Sequence, residues 1–167
     1  KRRDIENKVL LDAIDKADKE KKNNIIVLHS NDWHEGIIGI IASRIVDLYN
    51  KPCIVISTQK NTAKGSARSV QGFDIGLAII KAKQKNLIIR GGGHAMAGGF
   101  SIEAKNIDVF KSEINNLLNK NDTKLNNDLL IDLALSPQAL DDNFIKYIEM
   151  LEPFGSSNKE PVLMLNN

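Results

Sequence analysis

The sequence predicts an α/β protein, a mixed β-sheet flanked by helices. Two observations predict it. Short continuous apolar runs, as at 25–29 and 53–57, read as buried strands. They alternate with longer stretches whose apolar residues recur at helical spacing, as at 5–17, 37–49 and 107–118.

Taken in order, Ile5, Val9, Ala13, Ile14 and Ala17 set one face of an opening helix that runs to about Lys22, where Asn23 and Asn24 break it. A strand follows at 25–29. Asp32 stands three residues before Glu35, a spacing of the capping-box kind, and predicts the start of a helix whose apolar body is 37–49. Gly36, Gly39 and Ala42 suit close approach of that helix to a sheet. Asn50, Lys51 and Pro52 stop it, and strands are expected at 53–57 and 64–69. Gly72 and Asp74 open a helix to about Lys85, with Ile75, Ala78, Ile79 and Ala82 inward. A strand at 87–89 is expected to run into the turn Gly91, Gly92, Gly93, followed by a strand at 99–102 and a helix at 107–118. The polar stretch 119–127 has no apolar period and reads as a linker. Beyond it a strand at 129–133, a helix opened by Ser136 and Pro137 and carrying Leu140, Phe144, Ile148 and Leu151, and a strand at 161–165 with nothing to pair it are expected.

Composition narrows the class. The chain has 167 residues, 42% of them hydrophobic, and no uninterrupted apolar run of membrane length. No membrane partner is therefore expected, and the cytoplasm is the expected address. Cys53 is the single cysteine and lies in an apolar run, which suits a small core residue. Net charge is only +2, but between Lys60 and Phe100 seven Lys or Arg stand against one acid, Asp74. That local field would attract a polyanion, although the lysines of the 74–85 helix also fit a solvated face.

Three constellations could carry chemistry. Gly91, Gly92 and Gly93, flanked by Arg90 and His94, offer backbone N–H groups that an anion can reach without side-chain obstruction; a plain hairpin turn with an exposed histidine would look the same. Ser66 and Arg68 are two residues apart in a predicted strand, so they share a face and can hold one phosphate together, unless the strand is merely a polar edge. Trp33 and His34 precede a helix, where Trp33 could stack on a base and His34 could reach a phosphate, while Glu35 suits a cap; packing is the simpler role for Trp33. No cluster of Asp and His has metal-ligand spacing, and no phosphate-binding P-loop, nucleophile elbow or dinucleotide fingerprint is present.

Together, the stretches WHEGIIGIIASR at 33–44, KGSARS at 64–69, GFD at 72–74 and GGGHAMAGGF at 91–100 resemble the RecJ family of single-strand-specific 5′-to-3′ DNA exonucleases, within the DHH phosphoesterase superfamily. The tail LEPFGSSNKEPV at 151–162 is similar to the segment leading into that family's oligonucleotide-binding barrel. The resemblance implies three parts: residues 1–23 as a connector helix from a missing metal-bearing DHH domain, 24–120 as the DHH-associated nucleic-acid-binding domain, and 121–167 as a linker and the beginning of the barrel. It implies a monomer acting on single-stranded DNA in repair and recombination. Two divalent ions, manganese or magnesium, would be held by the missing domain and none by this chain, which alone would be inactive. By resemblance, Ser66 and Arg68 would meet the 5′-phosphate region and the turn Gly91 to His94 phosphates near the scissile bond; Arg90 beside that turn is an expected phosphate contact, and His94, accessible after the glycines, is the expected catalytic group. Relatives with the same glycine and SARS-like elements, the nanoRNases with phosphoadenosine phosphatase activity and the cyclic-dinucleotide phosphodiesterases, are the alternative within the superfamily. A non-catalytic nucleic-acid-binding module is the alternative outside it.

Overall fold

Helices α1 (Arg2–Glu20) and α2 (Ile38–Tyr49) lie on one face of a five-stranded sheet, and α3 (Ile75–Gln84) and α4 (Ile107–Lys120) lie on the other. The computed structural model describes residues 2–120, 130–155 and 157–166. The strands are β1 (Ile26–Ser30), β2 (Cys53–Gln59), β3 (Thr62–Arg68), β4 (Arg90–His94) and β5 (Ala97–Glu103), in the spatial order β1-β2-β3-β5-β4. Only β1 and β2 run parallel, joined through α2; the remaining pairings are antiparallel, so the sheet is mixed, as expected.

Alternation along each strand divides the side chains between two cores. Ile26, Leu28, Cys53 and Val55 face α1 and α2, where Val9, Ala13, Ala17, Ile38, Ile41, Ala42 and Ile45 close over them. Ile54, Ile56, Ala63, Ala67, Phe100 and Ile102 face α3 and α4 and meet Ile75, Ile79, Phe110 and Ile114. Filling both faces of β2 with Ile, Val and Cys explains why its sequence is continuously apolar rather than alternating. At the β1 edge the two helical layers are tied together, with Lys111 Nζ donating to Glu20 Oε1 at 2.5 Å and the Ile25 amide donating to Asn115 Oδ1 at 3.0 Å.

Several local expectations are corrected. The second helix begins at Ile38 and its cap residue Ile37 makes no side-chain cap bond, so neither Asp32 nor Glu35 caps it. Residues 87–89 form bends, and Arg90 to His94 are strand rather than turn; the actual turn is Ala95 and Met96, which leaves the three glycines inside a ladder. Asp74 does cap α3, accepting from the Leu77 amide at 2.8 Å.

Backbone contacts divide the chain into two compact units, Lys1–Asn126 and Asn127–Asn167. The first holds the sheet just described. In the second, β6 (Leu133–Leu135) pairs in parallel with β7 (Leu163–Leu165), so the final strand has a partner after all. The helix α5 (Asp142–Glu149) is capped by Asp141, whose carboxylate accepts from the Phe144 amide; Ser136 and Pro137 open only a short 3₁₀ turn, leaving Leu140 and Leu151 outside the helix. Most of the predicted linker at 119–127, and the predicted start of a strand at Leu129, lie outside the described residues.

Candidate nucleic-acid interface

On this face α1 lies over β1 and α2 over β2 and β3, so β5 and β4 are left open beside α2. Register fixes what that open face displays. Three rows cross β4, β5 and β3 in turn: Arg90, Ser101 and Lys64; then Gly92, Gly99 and Ser66; then His94, Ala97 and Arg68. Two polar or basic rows thus flank a row with almost no side chains. An open cleft of about 790 Å³ occupies this region, lined by Lys64, Ser66, Arg68, Arg90 and Ser101 from the sheet and by Glu35, Gly39 and Ser43 from α2 and the turn before it.

Ser66 and Arg68 share a face, as their spacing predicts. Arg68 Nη1 lies 3.3 Å from Ser66 Oγ and donates to the Ala67 carbonyl at 2.9 Å, which fixes the guanidinium on the cleft wall. Gly39 allows α2 to approach: a Cβ there would stand 3.2 Å from Ser66 Oγ and 3.3 Å from Arg68 Nη2. A hydroxyl and a planar cation side by side match the oxygens of a phosphate. Beside the half-buried Arg68, Arg90 adds an exposed cation from the sheet edge, and the exposed Lys64 reaches Glu35 Oε2 with its Nζ at 2.6 Å. The hydrogen bond from Lys64 holds the Glu35 carboxyl below the usual carboxylate range.

The glycines separate by strand parity. Gly91 and Gly93 face the α3 side, where an added Cβ would meet Phe100 Cβ at 2.6 Å and the Ala97 carbonyl oxygen at 2.3 Å. Those two are required by packing. Gly92 faces the open side, where a Cβ would meet nothing within 4 Å, and Gly99 opposite it would meet only the Gly65 carbonyl oxygen at 3.8 Å.

His94 ends the third row at the hairpin tip and is exposed, outside the lining of the cleft. Its Nδ1 accepts from the Met96 amide at 3.3 Å. The tip is held by the Ser69 amide donating to Met96 O and the Ile75 amide donating to Ala95 O, and by the close packing of Gly76 of α3, whose Cβ would lie 2.9 Å from His94 O.

Trp33 does not face a ligand. It is 2% exposed, packs in the α1–α2 core and donates from Nε1 to Asp12 Oδ2 at 2.9 Å, with Lys16 Nζ 5.8 Å from its ring. A large ring with one donor is best satisfied there, which removes it as a stacking platform. His34 is exposed, but its Nδ1 accepts from the Gly36 amide at 3.0 Å and it does not line the cleft. Sequence reasoning missed Lys64, Ser101 and Gly99. Extending the alternation from Ser66 back to Lys64 would have found the first; the other two depend on the pairing of β5 with β3.

A family model described as the DHHA1 domain matches residues 22–120, and one described as the RecJ OB domain matches 131–167. The chain belongs to the DHHA1 domain family. Its curated relatives are single-stranded-DNA-specific exonucleases named RecJ: that of Bacillus subtilis is 31% identical over 85% of this chain, that of Thermus thermophilus 30% over 99%, and that of Escherichia coli 26% over 96%. The DHHA1 chain spans 18%, 23% and 30% of those relatives' lengths. Among solved structures, T. thermophilus RecJ in complex with Mn²⁺ superimposes with a TM-score of 0.82 at 29% identity, covering 98% of this chain and 24% of that one; its complex with Mg²⁺ gives 0.79 at 29%, covering 96% and 24%. The DHHA1 chain is thus homologous to a part of RecJ, and its mixed sheet is the fold found there.

Proposed function

We propose that this chain grips single-stranded DNA for a RecJ-type 5′-to-3′ exonuclease, with the Ser66–Arg68 wall of the cleft receiving the 5′-phosphate end. The observation that carries the reading is the placement of Ser66, Arg68, Lys64 and Arg90 around one open cleft in a chain homologous to RecJ. The bare row Gly92 and Gly99 supports it, because the fold leaves space there that a sugar–phosphate backbone can occupy closely. The same reading makes the molecule a monomer, places it in DNA repair and recombination in the cytoplasm, and makes residues 1–23 a connector and 121–167 a linker with the beginning of the barrel.

The RecJ structures that match hold Mg²⁺ or Mn²⁺. The cleft here does not fit such an ion: its charged side chains are Lys64, Arg68, Arg90 and a single carboxylate already bound to Lys64. Among the described residues no group of three or more His, Cys, Asp or Glu comes together. No step of this reading passes through a metal. In it, metal-dependent hydrolysis belongs to residues outside the cleft, and the chain alone binds without cutting.

His94 is the group proposed to act on the reaction itself, presenting its ring from the hairpin tip toward charge that develops on a phosphate. In an enzyme joining this chain to a metal-binding domain, His94→Ala lowers kcat by roughly a hundredfold to a thousandfold with an unchanged melting temperature. An equal loss of stability would make His94 a fold residue.

The direct test uses the chain as it stands and compares 5′-phosphorylated oligothymidylate, its 5′-hydroxyl counterpart and a duplex. The phosphorylated strand should bind best, more weakly as salt rises, and Arg68→Ala should remove most of the preference for the phosphate. Equal binding of all three ligands by the unsubstituted chain would overturn the reading.

A further inference from the structure

We infer that Glu35 is an exchangeable counter-ion for Lys64, holding its ammonium while the cleft is empty and yielding it to a phosphate of the entering strand. The inference rests on the reading of the cleft as a phosphate-binding surface and adds a regulator of its affinity.

Among the described residues that line the cleft, Glu35 is the one carboxylate, against Lys64, Arg68 and Arg90. In a surface that draws in a polyanion, a carboxylate opposes binding. Stability does not explain its presence. The two side chains are 39% and 54% exposed, and exposed pairs of this kind contribute little to folding. Nor does Glu35 cap α2, whose N-terminal cap makes no side-chain bond. What remains is its position. Glu35 lies on the turn before α2 and Lys64 on β3, so the 2.6 Å contact links two separate walls of the cleft.

Lys64 stands in the same row as Ser101 and Arg90, at one side of the bare row Gly92 and Gly99. Its flexible stem and three donors let it trade a carboxylate oxygen for a phosphate oxygen without moving the backbone. Entry of a strand is then a swap of one anion for another rather than capture by a free charge. Such a swap holds the ammonium in place in the empty cleft and weakens retention of the bound strand, which suits a surface along which a strand must advance.

The test measures binding of 5′-phosphorylated oligothymidylate to the unsubstituted chain, Glu35→Gln, Lys64→Gln and the double variant, with a melting temperature for each. Glu35→Gln should bind about twofold to fivefold tighter with an unchanged melting temperature. Lys64→Gln should bind more weakly, and adding Glu35→Gln to it should recover nothing, because the effect of Glu35 passes through Lys64. A gain that persists in the Lys64→Gln background would make Glu35 a simple repulsive charge and overturn the exchange. Unchanged or weaker binding by Glu35→Gln, or a lowered melting temperature, would overturn it as well by making Glu35 inert or a structural brace. Absence of binding by the unsubstituted chain is a separate outcome that overturns the cleft reading beneath it.

Discussion

Gly92 and Gly99 stand directly opposite each other in the β4–β5 ladder, and a Cβ on either would meet no atom closer than 3.8 Å. The fold therefore has no need of glycine at these two positions, whereas an extended strand ordinarily gains from a side chain. Gly92→Ala and Gly99→Ala should leave the melting temperature unchanged or raise it, since alanine narrows the unfolded ensemble by about 0.4–1 kcal/mol. Both should weaken binding of single-stranded DNA. Gly93→Ala and Gly65→Ala should behave oppositely: their Cβ atoms would lie 2.3 Å from the Ala97 carbonyl oxygen and 2.2 Å from the Phe100 ring, so overpacking costs about 1–3 kcal/mol. Thermal melts and a binding titration on the four variants separate the two classes, and a destabilised Gly92→Ala would show that the bare row serves packing.

Trp33 is the only tryptophan and is buried against Asp12. Its fluorescence should be that of an enclosed indole and should change little when oligothymidylate binds. Strong quenching in proportion to bound strand would mean that the ring stacks on a base, contrary to its place in the core. Trp33→Ala should cost about 3–5 kcal/mol of stability, read from denaturant unfolding.

The Glu35–Lys64 contact carries a pH signature. Because the ammonium favours the charged carboxylate, Glu35 should titrate below the usual carboxylate range. The sign follows: the pair is intact above the ordinary carboxylate range and is lost as the pH falls through the lowered value. In Lys64→Gln the Glu35 carboxyl should titrate higher, back toward the ordinary range. NMR titration of the Glu35 side chain in both forms measures this, and identical midpoints would mean that the pair does not persist in solution.

Cys53 is fully buried between β1 and β3 and beneath α2, and burial pushes its thiol well above the usual range. In the folded chain it should resist alkylation near neutral pH and react fully once denaturant is added, as followed by intact mass. Rapid labelling without denaturant would show that α2 opens away from the sheet.

The sequence by itself determined the α/β class, the approximate places of β1, β2, β3 and β5, the pairing of Ser66 with Arg68 on one face and the Asp74 cap, because each of these depends on periodicity or on contacts a few residues long. It could not distinguish a glycine turn from a glycine strand at 91–93, since loss of the Cβ permits both and only the hydrogen-bonded partner Ala97 to Phe100 decides. It could not tell that Trp33 turns inward, because that depends on Asp12 arriving from a helix twenty-one residues earlier. Nor could it join Arg90, Ser101 and Lys64 in one row, or separate Gly92 from its two neighbours, since both follow from cross-strand register. Tertiary structure made those decisions for a physical reason: a strand's own alternation says which residues share a face, but only its packing against α2 on one side and α3 on the other says which face remains open to a ligand.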